Sequence, residues 1–435
     1  MSNSVNRRDF IKKSAVLSSF FIVPRHVLGN GFLAPSDKIN IGFIGAGKQG
    51  RGLLKRFVDT GRINVLAIAD PHEGKRNLLL DVHRKAVQKA GGEVGDKDVQ
   101  AFGNYPELLV NKSIDAVVIA TPDHWHAVQA VQAAQAGKDI YCEKPLSLTV
   151  KEGRAMVNAT RKNNRVFQTG SMQRSQEYFR KGAELVRNGY LGDIQEILVC
   201  VGNPPKDIDF TAQEIPAHLD WQTWLGPNGD APYNELLAPT LKDEFWAKWR
   251  EYKPFGGGYM TDWGAHMYDI AQWALGMDGT GPVSMNPPAN YDVNKDKEVK
   301  GLQYEYANGI VMKHENFDRG NAIRFIGTEG TMDISRSFLD LPEKLKNVEP
   351  KANDVLLPKT KTHYDDFLDC MQTRNKPLCD VEIGHRTATV CNIGNIAYEL
   401  KRPLQWNPEK EEFVNDTEAN ALLGRKLNKP YRIKL

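Results

Sequence analysis

Through the first part of the chain, short fully apolar runs alternate with longer segments of mixed character. Ile39–Ile44, Val65–Ala69, Asp115–Ala120 and Lys138–Cys142 read as strands buried on both faces, and Val99–Phe102 as a further short strand. Helix-length segments lie between them. One opens in the glycine turn after Ile44, and a polar one runs from Asp70 to about Ala90. A third spans His124 to Ala136, with Asp123 placed to cap it and Gly137 to close it, and a fourth runs from Thr149 to about Asn163. Strands and helices alternating at this spacing predict a parallel, doubly wound α/β sheet over residues 38–165.

Past an amphipathic helix that ends at Gly189, the pattern changes. Segments 194–202, 299–306, 309–317, 321–327 and 331–335 alternate apolar and polar positions and are joined by tight turns such as Ala307-Asn308-Gly309. They predict an antiparallel sheet and hence an α+β domain over 166–402, leaving 403–435 as a C-terminal tail. The loop-rich stretch 203–255 is aromatic, with Trp221, Trp224, Tyr233, Trp246, Trp249 and Tyr252.

The glycines after the first strand fit G-x-G-x-x-G at Gly45, Gly47 and Gly50, with Lys48 and Gln49 between them. The first glycine permits the turn, the second lets a pyrophosphate reach the backbone, and the third lets helix and strand pack closely. The helix start then offers free N–H groups to the phosphates. Asp70, twenty residues past Gly50, can accept hydrogen bonds from ribose hydroxyls and would repel a 2′-phosphate. NAD is therefore the expected cofactor; the nearness of Arg51 and His72 in sequence leaves NADP open.

Ligands of such sheets sit beyond the carboxyl ends of the strands, which puts Gly45–Gly50, Asp70, Thr121-Pro122 and Glu143-Lys144-Pro145 around one crevice. Lys144 is the cation there, with Pro145 stiffening its turn. His126 is expected to be packed or to stand beside the cofactor. His124 and His126, two apart on a helix, point in different directions and have no third ligand nearby, so no metal site is expected.

One helix of the second domain, 255–276, is apolar nearly all round except for a stripe. At 100° per residue Asp262, His266, Asp269 and Trp273 fall within about 60° of one another. Two Asp and a His without Lys, Arg or Glu is an unusual solvated face, so the stripe is read as facing a cleft. Asp/His/Asp could also ligate a metal. Proton transfer is the preferred reading because the nucleotide crevice already implies hydride transfer and a His suits a base near neutral pH.

Composition is ordinary for a globular protein of 435 residues, long enough for two domains. The formal charge of +3 comes from residues 1–29, which carry a net +4. The remainder is close to neutral, so no basic face for nucleic acid is implied, and no apolar run is long enough to span a bilayer. Asn6-Arg7-Arg8-Asp9-Phe10 followed by an apolar Ala15–Val23 resembles a twin-arginine export signal, which implies a periplasmic protein that folds before export. Such an enzyme has no cytosolic dinucleotide pool and would hold its cofactor tightly. The five cysteines are too few for a disulfide scaffold; a Cys370–Cys379 bridge and buried free thiols are the alternatives.

With Gly45–Gly50, Thr121-Pro122, Glu143-Lys144-Pro145 and the Asp262–His266 helix in this order, residues 38–400 resemble the glucose-fructose oxidoreductase, inositol dehydrogenase and MocA (Gfo/Idh/MocA) family. The resemblance implies a Rossmann domain followed by an α+β domain with an open, mainly antiparallel sheet that often makes a homo-oligomer. It also implies Lys144 beside the nicotinamide and the reacting hydroxyl, with Asp262 and His266 completing the site and His266 taking the hydroxyl proton. Asp220–Pro227 is similar to a secreted branch of sugar-degrading bacteria. The family includes NAD-dependent glycosidases that work by oxidation and elimination, but the motif that marks them has no match here.

The resulting expectation is an exported, NAD-dependent oxidoreductase acting on a hydroxyl of a sugar or glycoside. Gly45, Gly47, Lys48, Gln49, Gly50, Asp70, Thr121, Pro122, His126, Glu143, Lys144 and Arg174 are expected on the cofactor. Lys144, Asp262, His266, Tyr259 and Trp249 are expected on the substrate. His385 and Arg386, opening a C-terminal helix, either reach the cleft or serve the helix start. Lyase or glycosidase chemistry through a transient keto sugar is the first competing reading, and non-catalytic sugar binding the second.

Overall fold

The computed structural model describes residues 38–92, 99–241 and 246–434. The export-signal reading of residues 1–29 lies outside them. The apolar runs form β1 (Ile39–Ile44), β2 (Ile63–Ala69), β3 (Gln100–Phe102), β4 (Ala116–Ile119), β5 (Asp139–Cys142) and β6 (Phe167–Thr169). They make one parallel sheet in the order β3-β2-β1-β4-β5-β6. The reversal of strand order beside β1 opens a crevice at the carboxyl ends, as in other doubly wound sheets. The helices between are α1 (Lys48–Asp59), α2 (Glu73–Lys89), α3 (Asp123–Gln135) and α4 (Val150–Lys162).

Each central strand sends alternate side chains into two separate cores, as a period of two requires. Val117, Ile119, Ile140 and Cys142 pack with Val128 and Met156 on one face. Ala116, Val118 and Tyr141 pack with Phe43, Leu53 and Phe57 on the other.

The second half begins with α5 (Glu177–Arg187) and β7 (Ile194–Cys200) and reaches the short helix α6 (Gly258–Asp262) and α7 (Gly264–Leu275). Its strands are β8 (Ser284–Asn286), β9 (Leu302–Glu305), β10 (Val311–His314), β11 (Ala322–Gly327), β12 (Gly330–Ile334) and β13 (Leu339–Asp340). Two helices follow, α8 (His363–Thr373) and α9 (Val381–Leu400), and then β14 (Leu404–Asn407) and β15 (Glu412–Phe413). The sheet has nine strands in the order β13-β12-β11-β7-β10-β9-β8-β14-β15, all antiparallel neighbours except β7 and β10. In β9, Leu302 and Tyr304 are buried while Gln303 and Glu305 are exposed, so α5, α7 and α9 cover one face only.

The two halves share elements in ways that sequence boundaries do not show. β6 belongs to the first sheet although it follows residue 165. Tyr364, Phe367 and Leu368 of α8 return to the first sheet and pack on Phe57. Residues 403–435 are not a tail. β14 pairs with β8, Arg425 ion-pairs with Glu152 of α4 at 2.8 Å, and Tyr431 packs edge-on against Trp125. Their apolar positions are too short and scattered to predict an element alone, and it is the sheet edge, α3 and α4 that give them partners. All five cysteines are free thiols, Cys370 and Cys379 included. Among the described residues no helix is long and apolar enough to cross a membrane.

Candidate active site

Beyond the carboxyl ends of β1, β2, β4 and β5 lies a cleft of about 530 Å3 whose far wall is built by α6, α7 and the loop before them. The three glycines are required for different local reasons. Gly45 has φ +99°, and a Cβ there would sit 2.6 Å from the Ala120 carbonyl oxygen. A Cβ on Gly50 would lie 2.1 Å from the Gly45 carbonyl oxygen, so this position closes helix on strand. A Cβ on Gly47 would meet nothing within 4 Å and would occupy the space in front of the α1 N-terminus. Gly47 supplies no side chain to cap α1, leaving its first N–H groups for an anion. Asp70 accepts from the Ala46 N–H at 2.7 Å and the His72 N–H at 2.8 Å, which fixes its carboxylate at the cleft edge. These residues fit a dinucleotide: a phosphate cradle a single methyl group would fill, and a carboxylate one strand away.

At the other end, Lys144 follows β5 through a cis bond to Pro145. Its Nζ donates to Asp262 Oδ1 at 2.7 Å and to the Asp262 carbonyl oxygen at 3.0 Å. Arg250 Nε donates to the same Oδ1 at 3.2 Å. Burial pushes the Asp262 carboxyl up, but Lys144 and Arg250 outweigh it and hold it below the ordinary value. His266, one turn on, also lines the cleft. Burial, with the charges of Lys144 and Arg336, lowers its pKa well below that of a free imidazole, so the ring is neutral at pH 7. Its Nδ1 is buried without a hydrogen-bond partner among the described residues.

The predicted cofactor-side residues Gly45, Gly47, Lys48, Gln49, Asp70, Thr121, Pro122 and Glu143 all line this cleft, as do Tyr259 and Trp249 on the other wall. Glu143 is buried behind Tyr141, whose hydroxyl donates to it at 3.3 Å, and burial raises its carboxyl.

Three expected cofactor residues are not on the cleft lining: Gly50, which packs helix on strand, and two that lie elsewhere. His126 is buried, with Nδ1 2.9 Å from the Pro145 carbonyl oxygen and Nε2 3.0 Å from that of Thr121. Both nitrogens face carbonyl oxygens of strand-ending turns behind the cleft, and the neutral ring donates to one of them. Arg174 is 1% exposed and held by Asp269 and Asp278, each at 2.8 Å, so its charge is spent inside the second half. The same contact corrects the polar stripe. The helix is interrupted at Trp263, Asp262 and His266 face the cleft, and Asp269 turns inward to Arg174 and Thr387. Of the aromatic loop, Trp224, Trp246 and Trp249 reach the cleft. Trp221, Tyr233 and Tyr252 instead form a small core with Leu237 and Phe255. His385 is fully buried against Glu411 at 2.7 Å, and Arg386 pairs with Glu382 at 2.9 Å, which leaves both serving the α9 start.

Three cleft residues were not anticipated. Asp123 is the first residue of α3 rather than its cap, and burial, despite Arg250, pushes its carboxyl well up. Arg250 stacks with its Cζ 4.2 Å from the Trp249 ring centre and 5.3 Å from that of Trp246, which also carries Lys48 at 5.1 Å. Arg336 lies with its Cζ 4.5 Å over the Trp263 ring. No periodicity marks these positions, although the density of Trp near Arg250 is a signal that could have found it. Among the described residues there is no group of three or more His, Cys, Asp or Glu arranged to hold a metal ion.

Comparison with known proteins covers both halves. Residues 39–171 match the family model described as oxidoreductase family, NAD-binding Rossmann fold, and residues 205–433 match that of the C-terminal alpha/beta domain of the same oxidoreductase family. A curated relative, glycosyl hydrolase family 109 protein 1 of Shewanella sp. (strain MR-4), is 27% identical over 215 residues. That match spans 44% of this chain and 45% of the relative, less than half its length. The fold is shared with the WlbA dehydrogenase from Bordetella pertussis, solved with NADH and UDP-GlcNAcA. That structure is 16% identical with a TM-score of 0.59, covering 85% of this chain and 99% of that one. The aldose-aldose oxidoreductase from Caulobacter crescentus, complexed with glycerol, is 19% identical with a TM-score of 0.58 over 85% of this chain and 99% of its own.

Proposed function

The chain belongs to the Gfo/Idh/MocA oxidoreductase family, with an NAD-binding Rossmann domain, and from that premise we propose that it oxidises a hydroxyl of a sugar or glycoside. One observation carries the reading: Lys144, from the nucleotide-binding half, is held 2.7 Å from Asp262 of the other half, in the cleft that Gly47 and His266 also line. Bound NAD supplies the hydride acceptor. Asp262 and its carbonyl oxygen take two of the three Lys144 N–H groups, leaving the third for the substrate oxygen as negative charge develops on it. His266, neutral because burial and two nearby cations disfavour its charged form, accepts the hydroxyl proton. Loss of the proton from the hydroxyl oxygen to His266 and of a hydride from the carbon that bears it to the cofactor leaves a carbonyl group, which balances the step. Trp249 and Tyr259 line the wall against which a sugar ring would lie.

Lys144→Ala and His266→Ala are each expected to abolish turnover while NAD stays bound, read as absorbance at 340 nm and as cofactor released on denaturation. Full activity in either variant removes these roles. A second reading, cleavage of a glycoside through a transient keto sugar, is supported by the glycosyl hydrolase names of the curated relatives. Substrate cleavage without net NADH would establish it over simple oxidation. We extend the proposal to export through residues 1–29. Periplasmic protein that stays cytoplasmic when Arg7 and Arg8 are changed to Lys is the expected outcome, and export unaffected by that change refutes it.

A further inference from the structure

The charges around the cleft do not balance. Four carboxyls line it, Asp70, Asp123, Glu143 and Asp262, against seven Lys and Arg side chains. Asp70 lies at the nucleotide end, its oxygens taken by two backbone N–H groups. Asp262 is shared by Lys144 and Arg250. Burial drives Asp123 and Glu143 toward their neutral forms. Arg336, an exposed side chain on the His266 side of the cleft, pairs with no carboxylate among the described residues. Its place is nevertheless built. The guanidinium carbon lies over the Trp263 ring, and with the amide of the fully buried Gln173 oriented to suit both neighbours, its oxygen accepts from Arg336 Nε at 3.0 Å and its nitrogen donates to the His266 carbonyl oxygen at 3.0 Å. Gln173 thereby fixes the Arg336 guanidinium relative to the proposed base. Both terminal nitrogens have no partner among the described residues, and a stacked, pre-oriented guanidinium presents them as a fork that matches a carboxylate. Arg56, on α1, lines the same cleft and adds to the field there.

A dinucleotide does not account for this cation. Its pyrophosphate belongs at Gly47 and the α1 N-terminus, whereas Arg336 comes from the turn after β12 in the other half. Resting on the sugar-oxidation reading above, we propose that the substrate is an acidic sugar, a uronic acid or uronide, whose carboxylate is gripped by Arg336 while Lys144 and His266 address a ring hydroxyl.

The test uses the NAD-loaded full chain and matched pairs of hexuronides and hexosides of gluco, galacto and manno configuration, both anomers. Cofactor reduction is followed and binding is measured by calorimetry. At least one uronide is expected to show a KM and a Kd tenfold or more below its neutral partner, and Arg336→Gln is expected to narrow that ratio about tenfold. Neutral hexosides bound and oxidised as well as the uronides, or an Arg336→Gln variant that shifts both members of a pair by the same factor, overturn the acidic-substrate proposal and leave sugar oxidation standing. If no sugar reduces the cofactor, the oxidation reading fails. Calorimetry alone then decides the acid preference, equal or absent binding of the two members counting against it.

Discussion

Replacing Asp262 by Asn isolates what its charge does, since the amide keeps the size and an oxygen for Lys144. In the native protein one carboxylate oxygen accepts from Lys144 at 2.7 Å and from Arg250 at 3.2 Å, with both side chains of the lysine pair about 15% exposed or less. Hydrogen bonds involving charged groups are worth roughly 1.5–3 kcal/mol, about twice a neutral one, so an acceptor kept without its charge forfeits about half of that, and at ~1.4 kcal/mol per decade kcat/KM falls by about 3- to 12-fold. Surface pairs fall short of this range, but this pair is largely shielded from solvent. The assay is steady-state cofactor reduction with the melting temperature and bound NAD checked in parallel. A cycle with Lys144→Met gives the mechanism its sharper test. If Asp262 acts by holding Lys144, adding Asp262→Asn to Lys144→Met produces little further loss. Fully multiplicative effects, or an Asp262→Asn variant as active as the parent, refute that role.

Three further outcomes follow from the same geometry. Gly47→Ala is expected to melt like the parent yet lose NAD, because its methyl enters open cradle space, whereas Gly50→Ala is expected to destabilise because its methyl meets the Gly45 carbonyl at 2.1 Å; calorimetric NAD titration and thermal melts separate the two, and an NAD-replete Gly47→Ala contradicts the cradle. Arg174→Met leaves two carboxylates facing an empty place, one of them fully buried, and should lower stability by about 3–5 kcal/mol in denaturant melts without lowering NAD content per folded molecule. His124 and His363 are brought to about 3 and His126 to about 4, in each case chiefly by burial. The unfolded chain therefore binds protons below pH 6.5 that the folded chain refuses. Stability is full above that pH and falls on acidification by up to ~1.4 kcal/mol per pH unit for each such histidine. A melting temperature that holds steady or rises from pH 7 to pH 5 would count against their burial as neutral rings.

Local chemistry alone determined the nucleotide-binding half. Glycine spacing, strand runs buried on both faces and an acid after the second strand are constraints within about thirty residues, so they are legible in order along the chain. It also carried Lys144 and the Asp262–His266 pair, which stay on the cleft side although the helix breaks at Trp263 between them. Tertiary structure decided which polar residues face the cleft and which are neutralised behind it. Arg174 and Asp269 look as functional in sequence as Lys144 and Asp262, and they differ only in that Asp278 and Thr387, far apart along the chain, close around them. Of the two expectations for His126, packed or beside the cofactor, the structure takes the first, set by backbone carbonyls that periodicity does not reveal. Arg336 went unnoticed because a lone arginine after a strand has no pattern. Its role depends on Trp263 beneath it, Gln173 beside it and the carboxylate that no described residue provides. A pattern along the chain records what each segment must bury; whether a charge is answered is settled only where distant segments meet.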